Sequence, residues 1–248
     1  MQALRLDQPG PVESAPLRLI EMETPRPGPG QLLIAVRACA VCRTDLHVVE
    51  GELPPRRSPV TPGHQVVGTV LAAGDGAAGF SVGQRVGVAW LHRTCGVCRY
   101  CTSGRENLCE RAAFTGWTED GGFATHCLAD ARFVYALSDG VADRDAAPLL
   151  CAGIIGFRAL RLTGIDRWAG TRVGIYGFGA AGHVAIQLLR ARGADVYVCT
   201  RDRDRHQALA LELGAAWVGG ADDAPPAALR SEERRVGKEC RSRWSPYH

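Results

Sequence analysis

Apolar positions in the N-terminal part of the chain come in short runs broken by glycine and proline. Leu32–Ala38, Val66–Ala72, Arg85–Trp90, Phe123–Leu128 and Phe133–Ala136 have the length and composition of strands. Turns separate them, most clearly at Pro25-Arg26-Pro27-Gly28-Pro29-Gly30 and Gly74-Asp75-Gly76. This pattern predicts a β-rich, barrel-like domain over residues 1–150.

The period changes after Pro148. Leu149–Leu162 fits a helix. Ala180–Arg192 sets Ala181, Val184, Ala185, Leu188 and Leu189 on one helical face. Arg172–Tyr176 and Asp195–Thr200 read as strands, with a third, shorter one at Ala216-Trp217-Val218. Asp204–Leu213 reads as a second helix closed by Gly214. Strand–helix–strand–helix opens a parallel α/β sheet, and a complete dinucleotide-binding sheet has about six strands. Residues 151–229 are therefore expected to be the N-terminal part of a Rossmann domain. A chain stopping there would leave a strand edge and an apolar face uncovered, and is expected to be unstable and inactive.

Bulk properties narrow the class. The chain has 248 residues, 46% apolar and 22% charged, which suits two modest globular domains rather than a disordered protein. Met1–Asp7 has no basic segment leading into an apolar run, and no stretch reaches membrane-span length. The expectation is a cytoplasmic protein with no membrane partner. The net charge of +3 arises in Arg230–His248; without that segment basic and acidic residues are equal in number. With no basic stripe elsewhere, no nucleic-acid partner is expected. Arg230–His248 has neither helical nor strand periodicity. It resembles an in-frame translation of a short-read sequencing adapter beginning AGA-TCG-GAA-GAG. Residues 230–248 are read as a non-native tail, with the natural chain continuing past Leu229.

Ten cysteines in a chain of this kind read as metal ligands before disulfides. Cys95-x2-Cys98-x2-Cys101-x7-Cys109 can close a tetrahedron of thiolates around one soft ion. With no other donor nearby, the site should be closed and structural. The rival is an iron–sulfur cluster, whose ferredoxin-type motif also begins Cys-x2-Cys-x2-Cys. There the fourth cysteine follows after three residues and precedes proline; here it follows after seven and precedes Glu110.

Three further donors, Cys42, His64 and Cys151, are far apart. Each alone reads as a buried thiol or a turn histidine. Their settings are Cys42-Arg43-Thr44-Asp45-Leu46-His47, Pro62-Gly63-His64-Gln65 and Leu150-Cys151-Ala152-Gly153, in that order around the four-cysteine segment. From about Met1 to Leu229 this set resembles the zinc-containing medium-chain alcohol dehydrogenases, especially the bacterial branch acting on simple primary alcohols. The resemblance implies a GroES-like catalytic domain followed by a Rossmann domain, here partial. It implies a second, catalytic zinc on Cys42, His64 and Cys151 with its fourth position open, acting as a Lewis acid on the alcohol. It further implies that Thr44 hydrogen-bonds the alcohol oxygen and relays its proton through the cofactor ribose, and that His47 hands the proton to water. Asp45 would steady the site, Arg43 would contact the cofactor pyrophosphate, and the full-length enzyme would be a homo-oligomer. Outside the resemblance, Thr44 is a turn hydroxyl and His47 a surface histidine. Trp90 and Trp117 resemble pocket residues that would favour small, unbranched substrates; the same rings fit an ordinary core. The chain departs from many family members in having Gln65, where they have glutamate, so no carboxylate follows the ligand histidine. His92, His126, His183, Cys39, Cys127 and Cys199 read as structural.

Gly177-x-Gly179-x-x-Gly182 follows the Arg172–Tyr176 strand and opens the Ala180–Arg192 helix, the setting in which a glycine loop binds a dinucleotide. NAD enzymes usually end the next strand in aspartate or glutamate, for the ribose diol. Here it ends in Thr200-Arg201, which suits the 2′-phosphate of NADP; Asp202, displaced by a residue or two, would instead suit NAD. The overall expectation is an enzyme interconverting small primary alcohols and aldehydes with NADP or NAD. Two readings compete: a cinnamyl-type aldehyde reductase of the same superfamily, and a zinc-binding fragment without catalysis. A zinc-free quinone reductase would need neither set of thiol ligands.

Overall fold

Strand β1 (Gln2–Leu6) pairs antiparallel with β2 (Leu17–Glu21) at the start of a chain that divides into two units between Cys151 and Ala152. This computed structural model describes residues 1–220 and 222–226; the expected tail, Arg230–His248, lies outside the described residues.

The first unit is built on β3 (Gln31–Ala40). Helix α1 (Arg43–Glu50) follows it directly, then β4 (Gln65–Ala73), β5 (Arg85–Val88), β6 (Leu91–Arg93), β7 (Ala113–Phe114), β8 (His126–Asp130) and β9 (Val134–Ala136). Five strands form an antiparallel sheet in the order β8-β3-β4-β5-β9. Leu32 and Ile34 of β3, Val66 and Val70 of β4, and Val86 and Val88 of β5 bury on one face. The opposite face of β4 is covered too: Val67 packs with Ala89, Ala146, Ala147 and Leu150. A central strand covered on both faces has no reason to alternate, which explains the uninterrupted Val66-Val67-Gly68 run. Helix α2 (Asp143–Ala146) and a 3-10 turn over Ala147–Leu150 close the unit. Asp143 ties them to the sheet, accepting from Arg37 Nε of β3 at 2.7 Å and from Arg85 Nε of β5 at 2.8 Å.

The second unit contains α3 (Ala152–Leu162), β10 (Arg172–Tyr176), α4 (Ala180–Ala191), β11 (Asp195–Cys199), α5 (Ala208–Glu212) and β12 (Trp217–Gly219). The strands are parallel in the order β10-β11-β12. Its core joins Ile175, Val196 and Val198 of the sheet to Ala185, Ile186 and Leu189 of α4, all fully buried.

The sequence reading misses α1 and the β1–β2 pair and misplaces several boundaries. The Arg85–Trp90 strand stops at Val88, so Trp90 leaves the sheet before β6 begins. The Phe123–Leu128 strand starts at His126; Ala124 makes only an isolated bridge to Ala3. The helix expected from Leu149 starts at Ala152. Pro148 has no N–H to give to a helix, and the backbone breaks at Cys151 (φ −128°, ψ −76°). The Asp204–Leu213 helix opens as a π turn over Arg203–Gln207, with Asp202 as its cap.

Candidate metal and cofactor sites

Helix α1 is short and mostly polar, and its start is held by side chains. Cys42 precedes it in extended conformation; its sulfur accepts from Thr44 N at 3.4 Å, and Cys42 N donates to Asp45 Oδ2 at 2.9 Å. This reciprocal cap satisfies helix N–H groups that have no intrahelical partner. It also aims the Cys42 sulfur and leaves Asp45 Oδ1 free to meet His64 Nδ1 at 2.8 Å. His64 reaches that point because Gly63 turns the chain at φ +97°. A side chain on Gly63 would also strike Phe123 and the Cys39 sulfur.

Cys42, His64 and Cys151 thereby meet: one donor atom from each lies within 4.8 Å of the others. Cys42 Sγ is 3.5 Å from His64 Nε2 and 4.0 Å from Cys151 Sγ. Hydrogen bonding with Cys151, aided by His64 and by Thr44 N, outweighs burial and brings the Cys42 thiol down to about 3. Burial opposes charge on His64, but the Asp45 carboxylate and the Cys42 sulfur prevail and raise it to about 9. Gln65 is buried and turned to the Ala40 carbonyl, at 3.4 Å.

The second group is local. Donor atoms of Cys95, Cys98, Cys101 and Cys109 lie within 4.8 Å of one another. Short 3-10 turns at Cys101–Ser103 and Glu106–Leu108 wrap the chain around them. Cys98 Sγ is 3.5 Å from Cys101 Sγ, and Cys98 N donates to Cys95 Sγ at 3.4 Å. The Val97 N–H chiefly lowers Cys95 to about 6, and the Thr94 hydroxyl chiefly lowers Cys101. Burial pushes Cys109 up to about 11. The Cys95 sulfur pushes the Arg111 guanidinium above its ordinary value, an influence with no sequence signal.

Thr44 and His47 share one face of α1, a turn apart. His47 is no surface histidine: it is buried, and its Nδ1 pairs with Glu52 beyond the helix end. That pairing was illegible because a separation of five residues is not a helical repeat. Arg43 is exposed on α1. Trp90 meets the Cys42–His64–Cys151 group, edge-on to the His64 ring at 5.1 Å, and stacks on Trp117 at 5.9 Å.

In the second unit, Gly177 (φ +86°) ends the turn after β10 and Gly179 caps α4 without a side-chain bond. Gly182 is buried where a Cβ would press on Gly177 O and the Phe178 ring at 3.3 Å. Thr200 is buried at the end of β11, and Arg201 is exposed. The Asp202 carboxylate accepts from Arg205 N at 2.9 Å. Burial raises Cys39 and Cys127 to about 12, His92 is buried against Thr115, and His183 bonds the Phe178 carbonyl.

Comparison with known proteins agrees with this layout. Residues 28–139 match the family described as the alcohol dehydrogenase GroES-like domain. The chain belongs to the alcohol dehydrogenases that carry this domain, a family with cinnamyl alcohol dehydrogenases among its relatives. It is 49% identical over 234 residues to a probable alcohol dehydrogenase, AdhA, of Mycobacterium tuberculosis, covering 92% of this chain and 67% of that protein. Among solved structures it is similar to a cinnamyl alcohol dehydrogenase of Sorghum bicolor (TM-score 0.79, 29% identity, 90% of this chain and 64% of that one). It is also similar to a cobalt- and zinc-bound thermostable alcohol dehydrogenase of Pyrobaculum aerophilum (TM-score 0.78, 30% identity, 89% and 65%). The chain thus spans about two thirds of the length of the proteins it matches. No helix among the described residues is long and apolar enough to cross a membrane.

Proposed function

We propose that the intact protein is a zinc-dependent oxidoreductase interconverting small primary alcohols and aldehydes with NADP or NAD. Residues 1–150 would form its catalytic domain and 151–229 the first part of its cofactor domain. The observation that carries this reading is the meeting of Cys42, His64 and Cys151 from three separate segments, with the Asp45 carboxylate on the far nitrogen of His64. Two sulfurs and a nitrogen suit zinc, and three protein donors leave a position for an exchanging ligand. A carboxylate behind a ligand histidine fixes its tautomer and its direction. The zinc-bound Pyrobaculum relative supports the same metal. Zinc held there would supply Lewis acidity toward the substrate oxygen.

Thr44 Oγ1 would hydrogen-bond that oxygen and share its proton. His47, steadied by Glu52, would exchange the proton with water. Trp90 and Trp117 would shape the space for the carbon chain. Cys95, Cys98, Cys101 and Cys109 supply four donors with no vacant position, the composition of a closed structural zinc site. The uncapped α4 N-terminus behind Gly177 and Gly179 suits a pyrophosphate, and the family resemblance makes exposed Arg43 a further cofactor residue. Because Asp202 is engaged as a cap, exposed Arg201 favours a 2′-phosphate, hence NADP. Thr200→Asp should then raise the NAD:NADP ratio of kcat/KM; an unchanged ratio would count against this choice.

Metal analysis tests the reading first. Two zinc ions per chain are expected, and one after Cys151→Ser. A single zinc in the unaltered protein, with no alcohol-dependent reduction of NADP, would favour the non-catalytic zinc-binding fragment. The cinnamyl-type reductase is favoured by Thr200-Arg201 and by the sorghum relative. Relative turnover of aromatic and aliphatic aldehydes separates the two enzymes.

A further inference from the structure

We infer that Arg56 is a positioning residue for the substrate pocket: it holds Trp117 parallel to Trp90, and the paired rings favour unbranched over branched alcohols. The pocket role rests on the alcohol dehydrogenase reading above. A continuous stack runs outward from the metal-ligand group. The His64 ring meets Trp90 edge-on at 5.1 Å, and Trp90 lies 5.9 Å from Trp117 with only 12° between their planes. The Arg56 guanidinium lies over the Trp117 ring at 4.8 Å. Phe114 backs the pair, 5.2 Å from Trp90 and 5.6 Å from Trp117.

The Trp117 backbone is set by the turn after β7, where Thr118 Oγ1 accepts from Phe114 N at 2.6 Å. The tilt of its ring is set from the segment after α1. Trp117 Nε1 donates to the Pro54 carbonyl at 3.1 Å, and Arg56 covers the ring. That segment is itself tied to the helix carrying Thr44 and His47: Glu52 pairs with His47 Nδ1, and Leu53 N donates to His47 O at 3.0 Å. Among the described residues no carboxylate pairs with Arg56, whereas its neighbour Arg57 pairs with Glu119 and Asp120. A guanidinium without a carboxylate is drawn to the negative face of an indole. A substrate branch near the reacting carbon would need a ring to tilt. Trp117 cannot tilt without giving up both the Pro54 bond and the Arg56 contact.

Two readouts on the same samples test this. Stacked indoles at this separation couple electronically, and because the strength of an exciton couplet depends on the skew between the two transition dipoles, far-ultraviolet circular dichroism reads any change in the set of one ring against the other. Selectivity is the ratio of kcat/KM for n-propanol to that for isobutanol. Trp117→Phe should abolish the couplet. Arg56→Met should weaken it roughly twofold and lower the ratio by about threefold to tenfold. Arg56→Lys, which keeps a cation, should restore most of both. An unchanged couplet in Arg56→Met overturns the positioning role; a weakened couplet with an unchanged ratio overturns the link to selectivity. Failure of the underlying reading looks different: the unaltered protein would turn over neither alcohol, which removes the pocket role while the couplet still decides whether Arg56 holds the ring.

Discussion

The four-cysteine segment and the Cys42–His64–Cys151 group gather soft donors within the same 4.8 Å span, but from very different stretches of chain. Cys95 and Cys109 are 14 residues apart; Cys42 and Cys151 are 109 apart. The local group sits on short 3-10 turns with exposed Val97 and Leu108 and contributes only Cys109 to the buried core. Such a segment has little apolar burial to hold its shape, so the metal would do most of the holding. The dispersed group stands on α1, whose Val48 packs with Leu6 and Val60, on the approach to β4, and on the turn behind α2, whose Ala147 and Leu150 pack on Val67 of the five-stranded sheet. There the fold would exist first and the metal would fill it. One arrangement would make structure depend on a metal; the other would make a metal site depend on structure.

The sharpest break between the two is a crossed pair of substitutions. Cys151→Ser should remove one zinc and lower kcat/KM on the order of a thousandfold, while amide exchange across residues 95–109 stays slow. Cys98→Ser should do the reverse: the catalytic zinc is retained, and exchange in the lobe speeds roughly a hundredfold or more, as read by mass spectrometry. Equal disturbance of both regions by either change would erase the distinction. A smaller effect addresses the support behind the dispersed site. Asp45→Asn should weaken zinc there by about 10- to 100-fold in chelator competition and leave the lobe's zinc unaffected.

The smallest effect concerns the ties beneath Cys151. The Arg85 and Arg37 guanidiniums hold the Asp143 carboxyl below the usual carboxylate range. A depressed carboxyl contributes stability that is present above its unfolded pKa, about 3.9, and is lost as pH falls through the lower folded value. Asp143→Asn should therefore cost about 1 kcal/mol at neutral pH, because the pairs are partly solvated, and nothing measurable once the pH lies below both values. A cost that persists unchanged in acid would mean that packing, and not charge, is what Asp143 provides.

How much could be read before folding follows the same division. The Cys95–Cys109 spacing is legible because all its ligands share one short segment. The Gly177–Gly182 loop is legible because a strand and a helix flank it directly. Helix α1 escaped because its eight residues carry few apolar positions and its start is fixed by a cysteine, an unusual cap. The β6 break escaped because Trp90 continues the apolar run of β5, and only its packing on His64 and Trp117 shows that it has left the sheet. The Arg37–Asp143–Arg85 tie and the Arg56–Trp117 contact escaped for a plainer reason. A charged surface residue looks the same in sequence whichever partner it finds.

By itself the sequence determined what depends on neighbours along the chain: the turn clusters, the alternation of strand and helix after Pro148, the local thiolate quartet and the glycine loop. The family resemblance joined Cys42, His64 and Cys151, but their spacing alone could not, because donors so far apart are related only through the sheet between them. Tertiary structure decided that Asp45 faces His64, that His47 is buried against Glu52, and that Trp90 and Trp117 stand parallel beneath Arg56. Each of these is a contact between segments, and the backbone pairing and core packing that create it carry no local periodicity.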